Sequence, residues 1–207
     1  MTEITLFASP GACSLVSMMC LQAAQADYSV SPVILSQGMH KHPEYLAINP
    51  KGKVPALRVG DRIITETPAI VLALDEMFPQ AGLLPRHGDD NEVRSDLCFI
   101  ASGVHPLVTR YCKPDLIGDC TGSIREKAAV ELQQIFRQVN GRLVHSGWWY
   151  KGQWSALDAY WFWVTQRLSR CQFDFSAYPA LRSHEKAMIK LTAVQEALLK
   201  DQAMLTG

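Results

Sequence analysis

The feature that most limits what this chain can fold into is a change of hydrophobic period near residue 79. Before it, short strand-like runs alternate with helical ones. ITLFA (4–8) reads as a buried strand, and SLVSMMCLQAAQ (14–25) places apolar residues at helical spacing. YSVSPVIL (28–35) is rich in strand formers, with Pro32 marking an edge or an irregularity. HPEYLAINP (42–50) holds a short helix ended by Pro50. VPALRV (54–59) and RIITE (62–66) flank Gly60-Asp61, a two-residue hairpin signal. TPAIVLALDEMF (67–78) is helical, with Thr67 as N-cap and Pro68 at the first helical position. The order β-α-β-(α)-β-β-α makes the first two strands parallel, because a helix joins them, and the last two a hairpin.

PQAGLLPRHGDD (79–90) has the composition of a linker, and everything after it reads as helix. NEVRSDLCFIASGVHPLV (91–108) begins a long helix that Pro106 is placed to kink. SIREKAAVELQQIFRQVNGRLV (123–144) is amphipathic, and SALDAYWFWVTQRLS (155–169) is apolar enough for a central buried helix. YPALRSHEKAMIKLTAVQEALL (178–199) closes the chain. The spacing therefore predicts an α/β domain over 1–80, a linker over 81–90 and an all-helical domain over 91–207. Ser155 and Asp158 have capping-box spacing, a structural device that satisfies donors at a buried helix start.

Twenty basic residues balance twenty acidic ones, which argues against a nucleic-acid partner. No apolar run approaches the ~18 residues of a membrane span. The opening MTEITLFASPG has no basic segment of the signal-peptide kind. The six cysteines form neither a C-x-x-C pair nor a zinc spacing, so no metal is expected. Scattered cysteines of this kind fit free thiols in a reducing cytoplasm.

Only Cys13 has a special setting. In SPGACSL (9–15) it stands where a strand turns into a helix. The positive end of the helix dipole and free N–H groups there favour thiolate and lower the thiol pKa. The alternative is a small residue filling a tight corner. Ser9 and Ser14 are rival hydroxyls beside it. Glu66-Thr67, at the next helix start, is a place that favours an anion. His105 is a proton carrier at neutral pH, though a lone helical His is commonly structural. The aromatic residues around Trp148 and Trp161 read best as packing.

With SPGACSL, NPKGKVPAL (49–57), TETPAIVLAL (65–74) and SALDAY (155–160) in this order, the whole chain resembles the cytosolic glutathione S-transferases. SPGACSL is similar to the bacterial, beta-type, cysteine-containing branch. The resemblance implies a thioredoxin-like N-terminal domain followed by an all-α C-terminal domain, and a two-fold homodimer in the cytoplasm. It implies glutathione as co-substrate, a hydrophobic electrophile or disulfide as second substrate, and a detoxifying role. On that resemblance Cys13 lies beside the glutathione sulfur and His105 faces the cleft near it. Val54, before a cis Pro55, pairs its backbone with the cysteinyl part, and Lys53 contacts glutathione just upstream. Glu66 and Thr67, with Thr in place of the family's Ser, hold the γ-glutamyl group.

Three positions depart from the pattern. Gln37 stands where the branch carries a Lys for the glycyl carboxylate, with Lys41 a few residues later. Cys98 replaces a polar residue that reaches across the dimer, and Lys190-Leu191-Thr192 replaces an Arg-Pro before the last helix. Transferase is the leading reading. A glutathione-dependent thiol reductase or isomerase suits a single active-site Cys, and a non-catalytic binding protein suits the changed positions.

Overall fold

A computed structural model describes residues 3–86, 90–150 and 152–205. The N-terminal sheet follows the predicted order. Strand β1 (Ile4–Ala8) leads into helix α1 (Ser14–Ala23), then strand β2 (Ser29–Pro32) and a short helix α2 (Pro43–Leu46). Strands β3 (Ala56–Val59) and β4 (Arg62–Thr65) precede helix α3 (Thr67–Met77). The sheet order is β2-β1-β3-β4, with β1 parallel to β2 and the β1/β3 and β3/β4 pairs antiparallel. Pro32 ends the outer strand β2, where its missing N–H costs no ladder bond. Gly60 takes φ 57°, the left-handed value that the tight β3–β4 turn requires.

The helical part comprises α4 (Asp90–Phe99), α5 (His105–Cys112), α6 (Thr121–Ser146), α7 (Ala156–Arg170), α8 (Pro179–Ile189) and α9 (Thr192–Ala203). A π-helical stretch, Ile100–Val104, joins α4 to α5. Pro106 explains it: its ring cannot donate to the Ser102 carbonyl four residues back, so the ladder is re-spaced just upstream. Extended backbone at Leu191 separates α8 from α9.

The chain divides into two compact units. One holds residues 1–84 together with 190–207, and the other holds 85–189. In this division the last helix, α9, goes with the first unit. The reason lies in α1, in which every residue from Ser14 to Leu21 is buried. The sheet and α3 cover one side and α9 the other. A helix apolar all round needs cover on every side. Gln22 donates to Glu196, and Lys200 sits 4.3 Å from the Tyr28 ring, fixing α9 against this unit. Part of the expected linker is also structured: Leu83 and Leu84 are buried, and the Leu84 N–H donates to Asp75 at 3.2 Å. Residues 87–89 of that linker lie outside the described residues.

In the second unit the capping box forms. The Ser155 N–H and hydroxyl both donate to Asp158 Oδ2 at 2.8 Å. Asp158 is 0% exposed, and its other oxygen receives the Trp149 N–H at 2.7 Å and pairs with His184 Nε2 at 3.0 Å. One carboxylate thus ties the α7 start to the preceding loop and to α8. Around it Tyr160, Trp161 and Phe162 are fully buried, which makes the aromatic run core. Replacing Asp158 with Ala strands these buried donors and should destabilise the protein by about 4 kcal/mol, read as a lower urea midpoint. A variant as stable as wild type would mean that the α7 start does not depend on this carboxylate.

Candidate active site

Cys13 is the N-cap of α1 (φ −64°, ψ −9°) and is 8% exposed. Gly11, two residues earlier, takes φ 67°, which lets the loop turn from β1 into α1. The Gly11 N–H donates to both carboxylate oxygens of Asp201 at 3.0 and 3.2 Å. Asp201, on α9, is 3% exposed. The last helix therefore holds the loop that presents the cysteine. Ser9 and Ser14 are occupied with each other: the Ser9 N–H donates to Ser14 Oγ, and Ser14 Oγ to the Ser9 carbonyl, both at 3.2 Å. Ser9 Oγ also accepts from the Leu35 N–H. These hydroxyls brace the loop.

The Cys13 thiol donates to the Val54 carbonyl at 3.6 Å. The Val54-Pro55 bond is cis, as the resemblance implies. The segment before it is tightly anchored. The Lys53 carbonyl accepts from the Tyr45 hydroxyl and from Asn49 Nδ2, the latter at 2.7 Å. Asn49 Oδ1 in turn accepts the Lys51 N–H at 3.2 Å. Lys53 contributes its main chain to this anchor while its side chain is exposed. Tyr45 and Asn49 carry no catalytic signature in the sequence. Their burial beside a polar loop is what reveals them.

Thr67 is not the N-cap of α3. It is the first helical residue, and Glu66 takes the cap position with φ 72° and ψ 126°. Backbone of that kind is rare for a residue other than Gly and is found where neighbouring structure enforces it. Thr67 is buried, and its side chain acts on the Cys13 thiol in favour of the thiolate. The Glu66 carboxylate is exposed and meets Lys51 Nζ at 2.8 Å, which also donates to Thr65 Oγ1 at 3.0 Å. Lys51 carries no signature in the sequence, which points to Lys53 and Lys41 instead. The side chains of Lys51 and Glu66 are 54% and 61% exposed, so their ion pair adds little stability and is readily exchanged for a ligand. Cys13, Val54, Pro55, Glu66 and Thr67 thus come together within the first unit.

The expected low thiol pKa is corrected by the structure. Burial pushes Cys13 up to about 11, because desolvation of a thiolate outweighs the helix start. The Thr67 hydroxyl pulls the other way, Glu66 adds to the rise, and Lys53 opposes it. At neutral pH this burial favours the protonated thiol, which donates to the Val54 carbonyl.

His105 begins α5 in the second unit. Its Nδ1 lies 3.1 Å from the Tyr160 hydroxyl, and its ring packs against Trp163 at 4.5 Å between centroids. Gln37 and Lys41 are exposed on two short 3₁₀ turns that follow β2. Cys98 is exposed on α4. Among the described residues no group of three or more His, Cys, Asp or Glu is placed to hold a metal ion.

With this geometry in place, residues 11–77 match the family described as the glutathione S-transferase N-terminal domain. The chain is 28% identical over 197 residues to the glutathione S-transferase GstA of Escherichia coli O157:H7, covering 93% of this chain and 96% of that protein. The structure of a sphingomonad glutathione S-transferase complexed with glutathione superposes with TM-score 0.83 at 28% identity, over 96% of this chain and 98% of the other. A bacterial beta-class enzyme from Sphingomonas chungbukensis gives TM-score 0.84 at 28% identity, over 95% and 98%. Over nearly its whole length the chain is thus similar to glutathione S-transferases, and its N-terminal part matches that family's N-terminal domain.

A thiol of pKa about 11 dictates a pH profile. The rate of Cys13 alkylation by iodoacetamide, followed by peptide mass mapping, should climb about tenfold per pH unit from pH 7 to 10. Thr67→Val removes the hydroxyl that favours thiolate and should slow labelling at any fixed pH in that range. A rate already at plateau near pH 7 would show that thiolate persists there.

Proposed function

We propose that the chain is a glutathione S-transferase and holds glutathione along the first unit, with the cysteinyl part against Val54 and the glutathione sulfur beside Cys13. The observation that carries this reading is the meeting of the Cys13 thiol with the Val54 carbonyl, directly before the cis Pro55. An extended peptide at that point pairs with the Val54 main chain as an added strand would. It takes over the Val54 carbonyl and releases the Cys13 thiol to a new acceptor. The γ-glutamyl group goes to the start of α3, where Glu66, Thr67 and free N–H groups converge. Lys51 meets Glu66 there and offers a carboxylate partner, and Lys53 offers a second cation before the turn.

Cys13 then works with its proton on. A buried thiol donates a hydrogen bond to the glutathione sulfur and lowers the pKa of that thiol. The glutathione thiolate, not Cys13, attacks the second substrate. The preference for transfer over thiol–disulfide exchange at Cys13 rests on this protonation state. The second substrate is a hydrophobic electrophile, with His105 as the group that supplies a proton or a hydrogen bond. The resemblance also supports a homodimer in the cytoplasm with a detoxifying role. Gln37 in place of a lysine argues for weaker capture of the glycyl carboxylate than in the branch it resembles.

Calorimetric titration with reduced glutathione tests the site directly, and heat of binding is expected. Gln37→Lys should tighten it about tenfold, the worth of roughly 1.4 kcal/mol. With a chloro-dinitrobenzene electrophile, Cys13→Ala should lower kcat about tenfold while leaving binding within a few-fold. No heat at millimolar glutathione would sink the reading. A Cys13→Ala variant with unchanged kcat would remove the cysteine from it.

A further inference from the structure

Two cysteines meet in the second unit, among residues that the proposed site does not use. Cys112 is the last residue of α5, and Cys171 caps the end of α7. The Cys112 thiol donates to the Arg167 carbonyl at 3.6 Å, one helical turn before Cys171. Arg125, on α6, ties the same corner. Its Nη2 donates to the Cys171 carbonyl at 2.6 Å. Its guanidinium lies 4.4 Å from the ring of Tyr111, the neighbour of Cys112. Cys171 lies near enough to act on the Cys112 thiol. Both residues are partly accessible, and both are free thiols.

We propose that Cys112 and Cys171 form a reversible dithiol–disulfide couple, a second thiol site that exchanges with small disulfides such as glutathione disulfide. The placement fits the bond. Disulfides need Cα atoms within about 4.4–6.8 Å, and the Cys112 thiol already reaches the carbonyl one turn before Cys171. Cys171 follows the last helical turn of α7, where the backbone can adjust without breaking a helical ladder. Burial, followed by the neighbouring Cys171, pushes the Cys112 thiol up to about 12, with Arg167 and Arg125 opposing. The Cys112 thiol, engaged with the Arg167 carbonyl, reacts second.

The chemistry balances without a metal or oxygen. Cys171 thiolate attacks one sulfur of glutathione disulfide. The sulfur–sulfur bond breaks, a mixed disulfide forms, and one glutathione leaves as thiolate. Cys112 loses its proton and attacks the Cys171 sulfur, expelling the second glutathione. Two protein thiols are oxidised and one glutathione disulfide is reduced to two thiols. Their protons come from Cys112 and Cys171. The new bond staples the end of α5 to the end of α7. The stapled helix α5 is the one that starts at His105, so oxidation bears on the helix assigned to the second substrate. The couple itself does not depend on glutathione binding at Cys13.

The test is exposure of the full chain to glutathione disulfide, acid quenching, and peptide mass mapping. Wild type should lose the Cys112 and Cys171 thiols as one cross-linked peptide, restored by dithiothreitol. Cys13→Ser should form the same cross-link. Cys112→Ser should instead keep one glutathionyl group on Cys171. Exposed Cys98 and Cys120 report that the reagent was active. If they are glutathionylated while Cys112 and Cys171 stay free, the pair is only packed together and the proposal falls. A lasting glutathionyl adduct on Cys171 of wild type overturns it too. The wild-type map decides the matter even if a variant folds poorly.

Discussion

The burial of α1 on all its faces is the constraint on which the rest of the first unit depends. The sheet covers one side of the helix and α9 the other. That second cover brings Asp201 to the Gly11 N–H and so fixes the loop from β1 to α1. The same burial removes water from Cys13. A helix start would favour thiolate in solution, but desolvation is the larger effect and the proton stays. Chemistry and packing are thus set by one fact. The helix that offers the thiol is covered well enough to hold its proton near neutral pH.

The second unit is organised by a polar group instead. Asp158 accepts from the Ser155 and Trp149 main chains and faces His184, all in the middle of an aromatic core. A buried carboxylate is costly unless every oxygen is used. Here the donors come from the loop before α7, from the helix start itself and from α8. The group therefore specifies how three segments meet, which apolar packing alone does loosely. The π-helical stretch before α5 has a comparably local cause in Pro106.

Much of the site was legible because its parts are chain-local. Cys13 follows a strand and opens a helix, Pro55 precedes β3, and Glu66-Thr67 opens α3. Each is a terminus, and termini have signatures in the sequence. Lys51, Tyr45, Asn49 and Asp201 were not legible in that way. They act by reaching a main chain or a side chain that folding brings beside them. The one signal of α9's role was indirect. SLVSMMCL is too apolar around its circumference for a helix covered on one side only.

By itself, the sequence determined the element order, the hairpin at Gly60-Asp61, the edge position of Pro32 and the capping box at Ser155. All of these follow from short-range rules of backbone geometry and hydrogen bonding. The tertiary structure decided three other things: which unit α9 joins, whether Cys13 holds its proton, and which thiols are neighbours. These depend on what covers a residue and what faces it from distant parts of the chain. Desolvation and proximity are properties of the packed molecule. No local pattern around Cys13, or around Cys112 and Cys171, encodes them.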